Sequence, residues 1–195
     1  MENWGVELTL EVNQLNLFSD TKPTPGRRAK ILVMSADALL KWKAEILEYQ
    51  QRVRTSQSPK QATLFDLAPT HCDLDAIDPL SLRLVPMSFY RMPVDYPGEA
   101  CLYFVVDTAA SLVLYVGETL RSNKRWKGEH GCKQYLDSYH SLHQCYELQR
   151  SVGITFWWDA PVERRARQAL EQAMIQKWRT PFNKENWERW GQPFK

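Results

Sequence analysis

The chain has 195 residues, of which 44% are hydrophobic and 25% are charged, a balance typical of a soluble globular protein and not of a disordered one. It contains no run of 18 apolar residues and no signal-peptide core at its N-terminus, so we expect neither membrane insertion nor secretion. Its net charge of +2 gives no general indication of a nucleic-acid partner. Four scattered cysteines favour a reducing cytoplasm over a disulfide scaffold: Cys72, Cys101, Cys132 and Cys145.

The first part of the chain predicts one strand and one helix separated by loops. Apolar and polar residues alternate over residues 6–12, the period of a half-buried strand. Residues 19–30 are polar and contain proline, which is typical of a loop. Ser35 can cap a helix that extends to about residue 53, and residues 55–86 read as a partly ordered linker. Apolar side chains at helical spacing mark the buried face of this helix: Leu39, Trp42, Ile46, Tyr49 and Val53.

The following segment predicts a β-hairpin and two helices. The β-rich runs 102–106 and 112–116 are separated by a short polar turn, which is the pattern of a hairpin. Polar helical patterns cover about residues 123–139 and 141–152. Gly153 is expected to end the second of these helices.

The last segment predicts a third strand and a long helix. Residues 154–158 are rich in β-branched and aromatic side chains, and Asp159 and Pro161 then signal a helix start. That helix is expected to run to about Arg179 and to stop before Pro181. The sequence therefore predicts an α+β fold in residues 86–195, with a small, mostly antiparallel three-stranded sheet flanked by helices. Residues 1–85 would form a partly ordered N-terminal extension.

Short motifs in residues 98–187 occur in a characteristic order. Cys101-Leu102-Tyr103 is followed, after eleven residues, by Tyr115-Val116-Gly117, and further polar residues come later in the chain: Arg125, His130, Glu171 and Asn183. This order resembles the GIY-YIG nucleases, which share two hairpin tyrosines, a first-helix arginine, often a nearby histidine, a late-helix glutamate and a terminal asparagine. The sequence departs from that pattern in three places: Cys101 replaces a usual glycine, Glu118 replaces a lysine of some relatives, and His130 lies five residues after Arg125.

The resemblance implies phosphodiester hydrolysis with one divalent cation. Glu171 is the carboxylate at the family's metal position, and its oxygen ligands suit one Mg²⁺ or Mn²⁺ ion. Tyr115 is our candidate proton acceptor, with Tyr103 orienting the water or sharing that role. Because a free tyrosine has a pKa of about 10, such a base needs neighbouring cations that lower its pKa.

The remaining motif residues would hold the substrate and move protons. Arg125 can bind a phosphate in a bidentate manner, and His130 can relay a proton. Asn183 would orient the site by hydrogen bonds near Glu171 or a phosphate. We expect DNA phosphates to contact basic residues around the first helix of the domain: Arg121, Lys124, Lys127 and Lys133.

Each of these residues also has an ordinary structural interpretation. Tyr103 and Tyr115 can be strand aromatics that only pack, and Asn183 can be a turn residue. Glu171 lies four residues after Arg167, the spacing of a simple helix ion pair. A zinc site is a further alternative, since the chain brings ligand types close together in sequence at His130, Cys132, His140, His143 and Cys145. The CxxC pair usual in structural zinc sites is absent.

A short peptide pattern occurs twice in the first 85 residues. Residues 14–18 (QLNLF) and 61–65 (QATLF) both fit Gln-x-x-Leu-Phe and resemble the peptide that binds the bacterial sliding clamp. Such peptides bind extended, with leucine and phenylalanine as buried anchors. The alternative is that these leucines and phenylalanines belong to a strand or cover the core. The residues predicted to contact the clamp are Gln14, Leu17, Phe18, Gln61, Leu64 and Phe65.

Together these observations predict a cytoplasmic, metal-dependent DNA endonuclease, nucleoid-associated if the clamp peptides function. It would be structure-specific and would act in repair, recombination or replication through the sliding clamp. One alternative is a sequence-specific restriction or homing endonuclease, in which the clamp-like peptides are accidental. The other is a catalytically inactive DNA- or clamp-binding adaptor that keeps the fold.

Overall fold

The structure is a computed structural model that describes residues 34–56, 73–86, 99–120 and 131–194. Leu32–Lys195 form one compact unit. The predicted strand at 6–12, the loop at 19–30 and both clamp-like peptides lie outside the described residues. Among the helices that the structure describes, none is both long and apolar enough to cross a membrane.

The described chain forms a sheet with helices on both faces. Its strands are β1 (Leu84–Pro86), β2 (Cys101–Asp107), β3 (Leu112–Thr119) and β4 (Val152–Trp157). The sheet order is β1-β4-β2-β3, and every pairing is antiparallel. The α+β class is therefore confirmed. The described sheet has four strands and not three, because β1 arises inside the stretch predicted as a linker.

The helices are α1 (Ala36–Thr55), α2 (Gly131–Cys145), α3 (Arg164–Trp178) and α4 (Trp187–Trp190), with a 3-10 turn at Lys184–Asn186. Ser35 caps α1 as predicted, since its Oγ accepts a hydrogen bond from the Ala38 N–H at 3.2 Å. The start of α3 is capped by Glu163, whose side chain accepts a hydrogen bond from the Ala166 N–H. This helix begins a few residues later than Asp159 and Pro161 suggested.

Alternating side chains of β2 divide the core into two layers. Cys101, Tyr103 and Val105 pack with the buried faces of α1 and α2. The intervening residues of β2 pack with α3 on the opposite face of the sheet. Since α1 supplies part of the first layer and β1 pairs with β4, a division at residue 85 separates segments that pack together.

The predicted pair of helices over 123–139 and 141–152 is wrong where the structure describes it. Residues 131–145 form one helix, and Ser141 stays within it by donating a hydrogen bond to the Asp137 carbonyl at 2.7 Å. The helix ends with Glu147 in the left-handed region (φ 53°) and with Leu148 N–H bonded to the His143 carbonyl. No glycine marks this end, so no local stop signal predicts it.

Gly153 does not end a helix but lies within β4, paired with Pro86 and Val106. A Cβ atom at this position would lie 2.6 Å from Leu84 Cδ1. The glycine therefore permits the close approach of β1 to β4.

Candidate active site

A β-bulge in β3 directs both motif tyrosines to one face of the sheet. Tyr115 pairs with Val105, whereas Val113 pairs with Val106, so Leu114 is an extra residue in β3. As a result Leu114 and Tyr115 both pack towards the α1 and α2 layer, which also contains Tyr103. The two tyrosine rings lie 6.0 Å apart, centroid to centroid.

Gly117 makes room for the Tyr103 side chain. The two residues are paired across β2 and β3. A Cβ atom at residue 117 would lie 2.2 Å from Tyr103 Cζ and 2.3 Å from its hydroxyl oxygen. The glycine of the second motif therefore lets the Tyr103 ring lie directly across β3, next to the less buried Tyr115.

The described surroundings disfavour the phenolate of Tyr115. Burial raises the pKa of Tyr115 far above its ordinary value, and Tyr103, Cys132 and Glu171 raise it further. The sequence interpretation requires cations that act in the opposite direction. Such cations would be a metal ion at Glu171 and the guanidinium of Arg125, which lies outside the described residues.

Glu171 is bound to the end of β3. Its Oε1 accepts a hydrogen bond from the backbone N–H of Glu118 at 3.1 Å. The side chain of Glu171 is partly exposed, on the margin of α3. The glutamate is thereby brought to the strand that carries Tyr115 and Gly117.

Arg167 does not serve only as a helix partner for Glu171. Its Nε lies 2.5 Å from Glu118 Oε2, and its Nη1 donates to the carbonyls of Pro161 and Val162 at 3.1 and 2.8 Å. Arg167 is 3% exposed. This buried guanidinium therefore fixes the end of β3 to the start of α3, and it gives the Glu118 carboxylate a partner of opposite charge.

Asn183 binds the outer edge of β3 between the two site residues Tyr115 and Gly117. Its Oδ1 accepts from Val116 N–H and its Nδ2 donates to the Val116 carbonyl, both at 2.9 Å. Its Oδ1 also accepts from Thr180 Oγ1 at 2.7 Å. The sequence interpretation placed these bonds near Glu171 or a phosphate; in the structure they hold the strand backbone.

The same edge of β3 is covered further along by Gln50. Its amide donates to the Val113 carbonyl and accepts from the Val113 N–H, both at 2.8 Å. The Phe182 N–H donates to the Leu114 carbonyl at 3.0 Å. These groups substitute for a fifth strand and keep the bulged segment in place.

Several predicted site residues lie outside the described parts of the chain: Arg121, Lys124, Arg125, Lys127, His130 and all six clamp-peptide residues. Lys133 is described, half-buried in the first turn of α2. Cys132 and His143, proposed as zinc ligands, are buried, and both nitrogens of His143 have protein partners. In the described ranges no group of three or more His, Cys, Asp or Glu residues could hold a metal ion.

Two features of the site were not anticipated from the sequence. The Glu118–Arg167 ion pair joins residues 49 positions apart, and the bulge at Leu114 has no local marker. Burial raises the pKa of the Cys101 thiol to about 12, so Cys101 is an uncharged packing residue.

Comparisons of the chain with protein-family models, with curated proteins and with solved structures find no match. The resemblance to GIY-YIG nucleases thus depends on the residues and their arrangement alone.

Proposed function

We propose that the chain is a metal-dependent endonuclease of the GIY-YIG type that hydrolyses DNA phosphodiesters. The observation that carries the proposal is the meeting of Tyr103, Tyr115 and Glu171 at one end of the hairpin. Two unusual local features produce it, the bulge at Leu114 and the space above Gly117. Ordinary strand packing requires neither feature.

The donor chemistry of the site fits one hard divalent cation. Glu171 is a partly exposed carboxylate that also accepts a hydrogen bond from the Glu118 N–H, and the side chain of Glu118 is bound to Arg167. A single carboxylate would hold Mg²⁺ or Mn²⁺ with most of its waters retained. When bound, the cation would stabilise the negative charge that develops on the phosphate and on the leaving alkoxide.

Each of the other side chains would then have its own role in the reaction. Tyr103 orients the attacking water, whose oxygen bonds to phosphorus while the bond to the leaving alkoxide breaks. Tyr115, as the phenolate that neighbouring cations would stabilise, accepts the proton of that water, and His130 relays the proton from the water or from Tyr115. Arg125 holds the non-bridging oxygens by two parallel hydrogen bonds. Asn183 acts on the strand and keeps Tyr115 and Gly117 in register.

The raised pKa of Tyr115 favours a second candidate, a catalytically silent DNA- or clamp-binding adaptor. A sequence-specific restriction or homing enzyme is the alternative within the nuclease class. In all three cases we place the chain in the cytoplasm. For the structure-specific enzyme and the adaptor, the two Gln-x-x-Leu-Phe peptides would supply contacts to a sliding clamp. Alanine at Leu17 and Phe18, or at Leu64 and Phe65, tests the clamp contact in a pull-down.

The deciding experiment is cleavage of labelled duplex, flap, mismatch and four-way-junction DNA with Mg²⁺ or Mn²⁺. Wild type is compared with Glu171→Ala and with Glu45→Ala, which removes an exposed carboxylate of α1 as a control. Metal-dependent cutting that only Glu171→Ala abolishes supports the enzyme, and the preferred substrate distinguishes a structure-specific role from a sequence-specific one. If folded wild type binds DNA but cuts none of these substrates with clamp present, the adaptor is favoured.

A further inference from the structure

Four residues beside the covered edge of β3 form a cluster of two exposed arginines and two half-buried aromatic rings. The Arg189 guanidinium lies 4.9 Å from the centre of the Tyr49 ring and 4.8 Å from that of Trp190. The Arg179 guanidinium lies 5.8 Å from the same Tyr49 ring. We call Tyr49, Arg179, Arg189 and Trp190 the arginine–aromatic cluster.

Hydrogen bonds fix the positions of the cluster residues. Arg179 Nε donates to the Tyr49 hydroxyl at 3.2 Å, and that hydroxyl donates to the Lys177 carbonyl at 3.2 Å. Trp190 Nε1 donates to the Arg179 carbonyl at 2.6 Å. Arg179 takes the left-handed position after α3 (φ 44°), where glycine is usual. The cluster thus joins α1, the end of α3 and α4 and presents preorganised side chains.

The two guanidiniums of the cluster keep their charge unneutralised by protein. Both arginines are exposed, and within the described ranges neither lies within 4.0 Å of a carboxylate. By contrast, Arg52, Arg54 and Arg167 each form an ion pair. Residues 176–190 contain four basic and two acidic side chains. The local excess of positive charge therefore suits an anionic partner.

The chemistry of stacked arginine suits a phosphate backbone in particular. A guanidinium whose face lies on an aromatic ring still presents its N–H edge, which can donate two parallel hydrogen bonds to phosphate oxygens. Stacking also limits the motion of the side chain before it binds, so less rotational freedom is lost on binding.

The cluster lies within reach of a DNA strand bound at the candidate active site. Gln50, next to Tyr49, bonds to both Val113 and Trp178, and Trp178 precedes Arg179. Along β3, Val113 and Glu118 are separated by about 17 Å, at roughly 3.3 Å per residue. That length corresponds to about five base pairs along the axis of a duplex, at about 3.4 Å each.

We propose that the arginine–aromatic cluster binds backbone phosphates of DNA about five nucleotides from the scissile bond. This rests on the proposed function for the identity of the polyanion. The cluster adds Arg179 and Arg189 to the DNA contacts that the sequence predicts between residues 121 and 133.

The test is fluorescence anisotropy with a labelled DNA duplex in EDTA, so that binding is measured without cleavage, at several salt concentrations. Wild type is compared with Arg179→Gln/Arg189→Gln. The matched control is Lys41→Gln/Arg83→Gln, which removes two charges from exposed side chains that form no ion pair within the described ranges. Because Arg179 helps to end α3, the single variant Arg189→Gln is measured as well. Circular dichroism verifies that each variant is folded.

We expect the double variant to bind DNA about tenfold more weakly and to lower the slope of log Kd against log salt by about 2. Arg189→Gln should lower that slope by about 1. The control should change neither the affinity for DNA nor the salt slope. Unchanged affinity and slope in both cluster variants would overturn the proposal, even if wild type cuts DNA. The variants are also tested for binding to labelled poly-glutamate. If the cluster variants lose binding to this acidic polypeptide but bind DNA as wild type does, the proposal is overturned in favour of an acidic protein partner. DNA binding that depends on the cluster in a protein that cuts nothing would support it while contradicting the endonuclease.

Discussion

The two ends of the β2–β3 hairpin carry similar polar side chains in different surroundings. From the middle of the hairpin towards its open end, Tyr115 and Glu171 are partly exposed beside Tyr103. At the turn, Asp107 accepts from the Tyr139 hydroxyl at 2.7 Å, and Lys43 Nζ lies 2.8 Å from His143 Nε2 and 3.5 Å from Asp107 Oδ2. We call the second set, Lys43, Asp107, Tyr139 and His143, the buried polar network.

The buried polar network has its hydrogen-bonding capacity occupied by protein. Asp107 Oδ1 accepts from the N–H groups of Ala109 and Ser151, in addition to the two contacts of Oδ2. His143 Nδ1 lies 2.8 Å from the Tyr139 carbonyl, which can only accept, so Nδ1 carries the proton and Nε2 accepts from Lys43. The presence of a lysine, a histidine, a carboxylate and a tyrosine together is therefore not enough to make a catalytic site. Access to solvent distinguishes the candidate site, where Tyr115 and Glu171 are partly exposed although Tyr103 is buried.

The largest expected difference between the two ends is in catalysis. Tyr115→Phe should lower the rate of DNA cleavage by about 10²- to 10⁴-fold, the usual contribution of a general base. The matched control is Tyr146→Phe, which removes the hydroxyl that donates to the Met34 carbonyl and costs about 1 kcal/mol of stability. Single-turnover cleavage measures both variants. Equal rates for wild type and Tyr115→Phe would exclude this tyrosine as the base.

Stability should respond most at the other end. Asp107→Ala leaves Lys43 without its buried carboxylate, and breaking a buried ion pair in this way costs about 3–5 kcal/mol of unfolding free energy. Asp137→Ala, at an exposed position of α2, should change it by less than about 0.5 kcal/mol. Urea denaturation measures both variants. A loss below about 1 kcal/mol in Asp107→Ala would mean that the network contributes little to the fold.

Substitutions at two glycines distinguish the effect of tight packing at the candidate site from its effect elsewhere in the sheet. Gly117→Ala would push the Tyr103 ring aside and should cost about 1–3 kcal/mol together with most of the cleavage activity. Gly153→Ala meets Leu84 and should cost a similar amount of stability without affecting the rate. Thermal melts measure the stability of both variants. Their cleavage rates are then compared at a temperature where both are folded. Full activity in Gly117→Ala would show that the position of Tyr103 is not required.

The sequence predicted the features whose signals are local. The β-rich runs of β2 and β3, the cap at Ser35 and the apolar stripe of α1 each depend on neighbouring residues. The structure contains both strands, the cap and a buried face of α1 that includes Leu39, Trp42 and Ile46. Strand β1 has only three residues and exists through its pairing with β4, so no periodic pattern could reveal it.

The sequence likewise predicted which residues belong to the candidate site, but not the contacts that hold them. Tyr103, Tyr115, Glu171 and Asn183 were selected from their order in the chain, and the structure places all four on or beside β3. The bonds that hold them were not foreseen. Asn183 reaches Val116 across 67 residues, and this contact depends on a strand edge that only the folded sheet defines.

The smallest expected effect is a dependence of stability on mildly acidic pH, and it belongs to the buried polar network. Burial lowers the pKa of His143 below its ordinary value of 6.5, and the charges of Lys43 and Arg150 act in the same direction against that of Asp107. The unfolded chain therefore binds the proton more readily than the folded protein. The stabilisation is complete above pH 6.5 and is lost as the pH falls from there through the folded-state pKa.

Burial also lowers the pKa of His140, but its exposed ring is screened by solvent and should contribute less. We expect His143→Gln to flatten the dependence of unfolding free energy on pH between about 8 and 5.5, and His140→Gln to change it less. If His143→Gln keeps the wild-type slope, proton uptake by His143 is not what couples the turn end of the hairpin to pH.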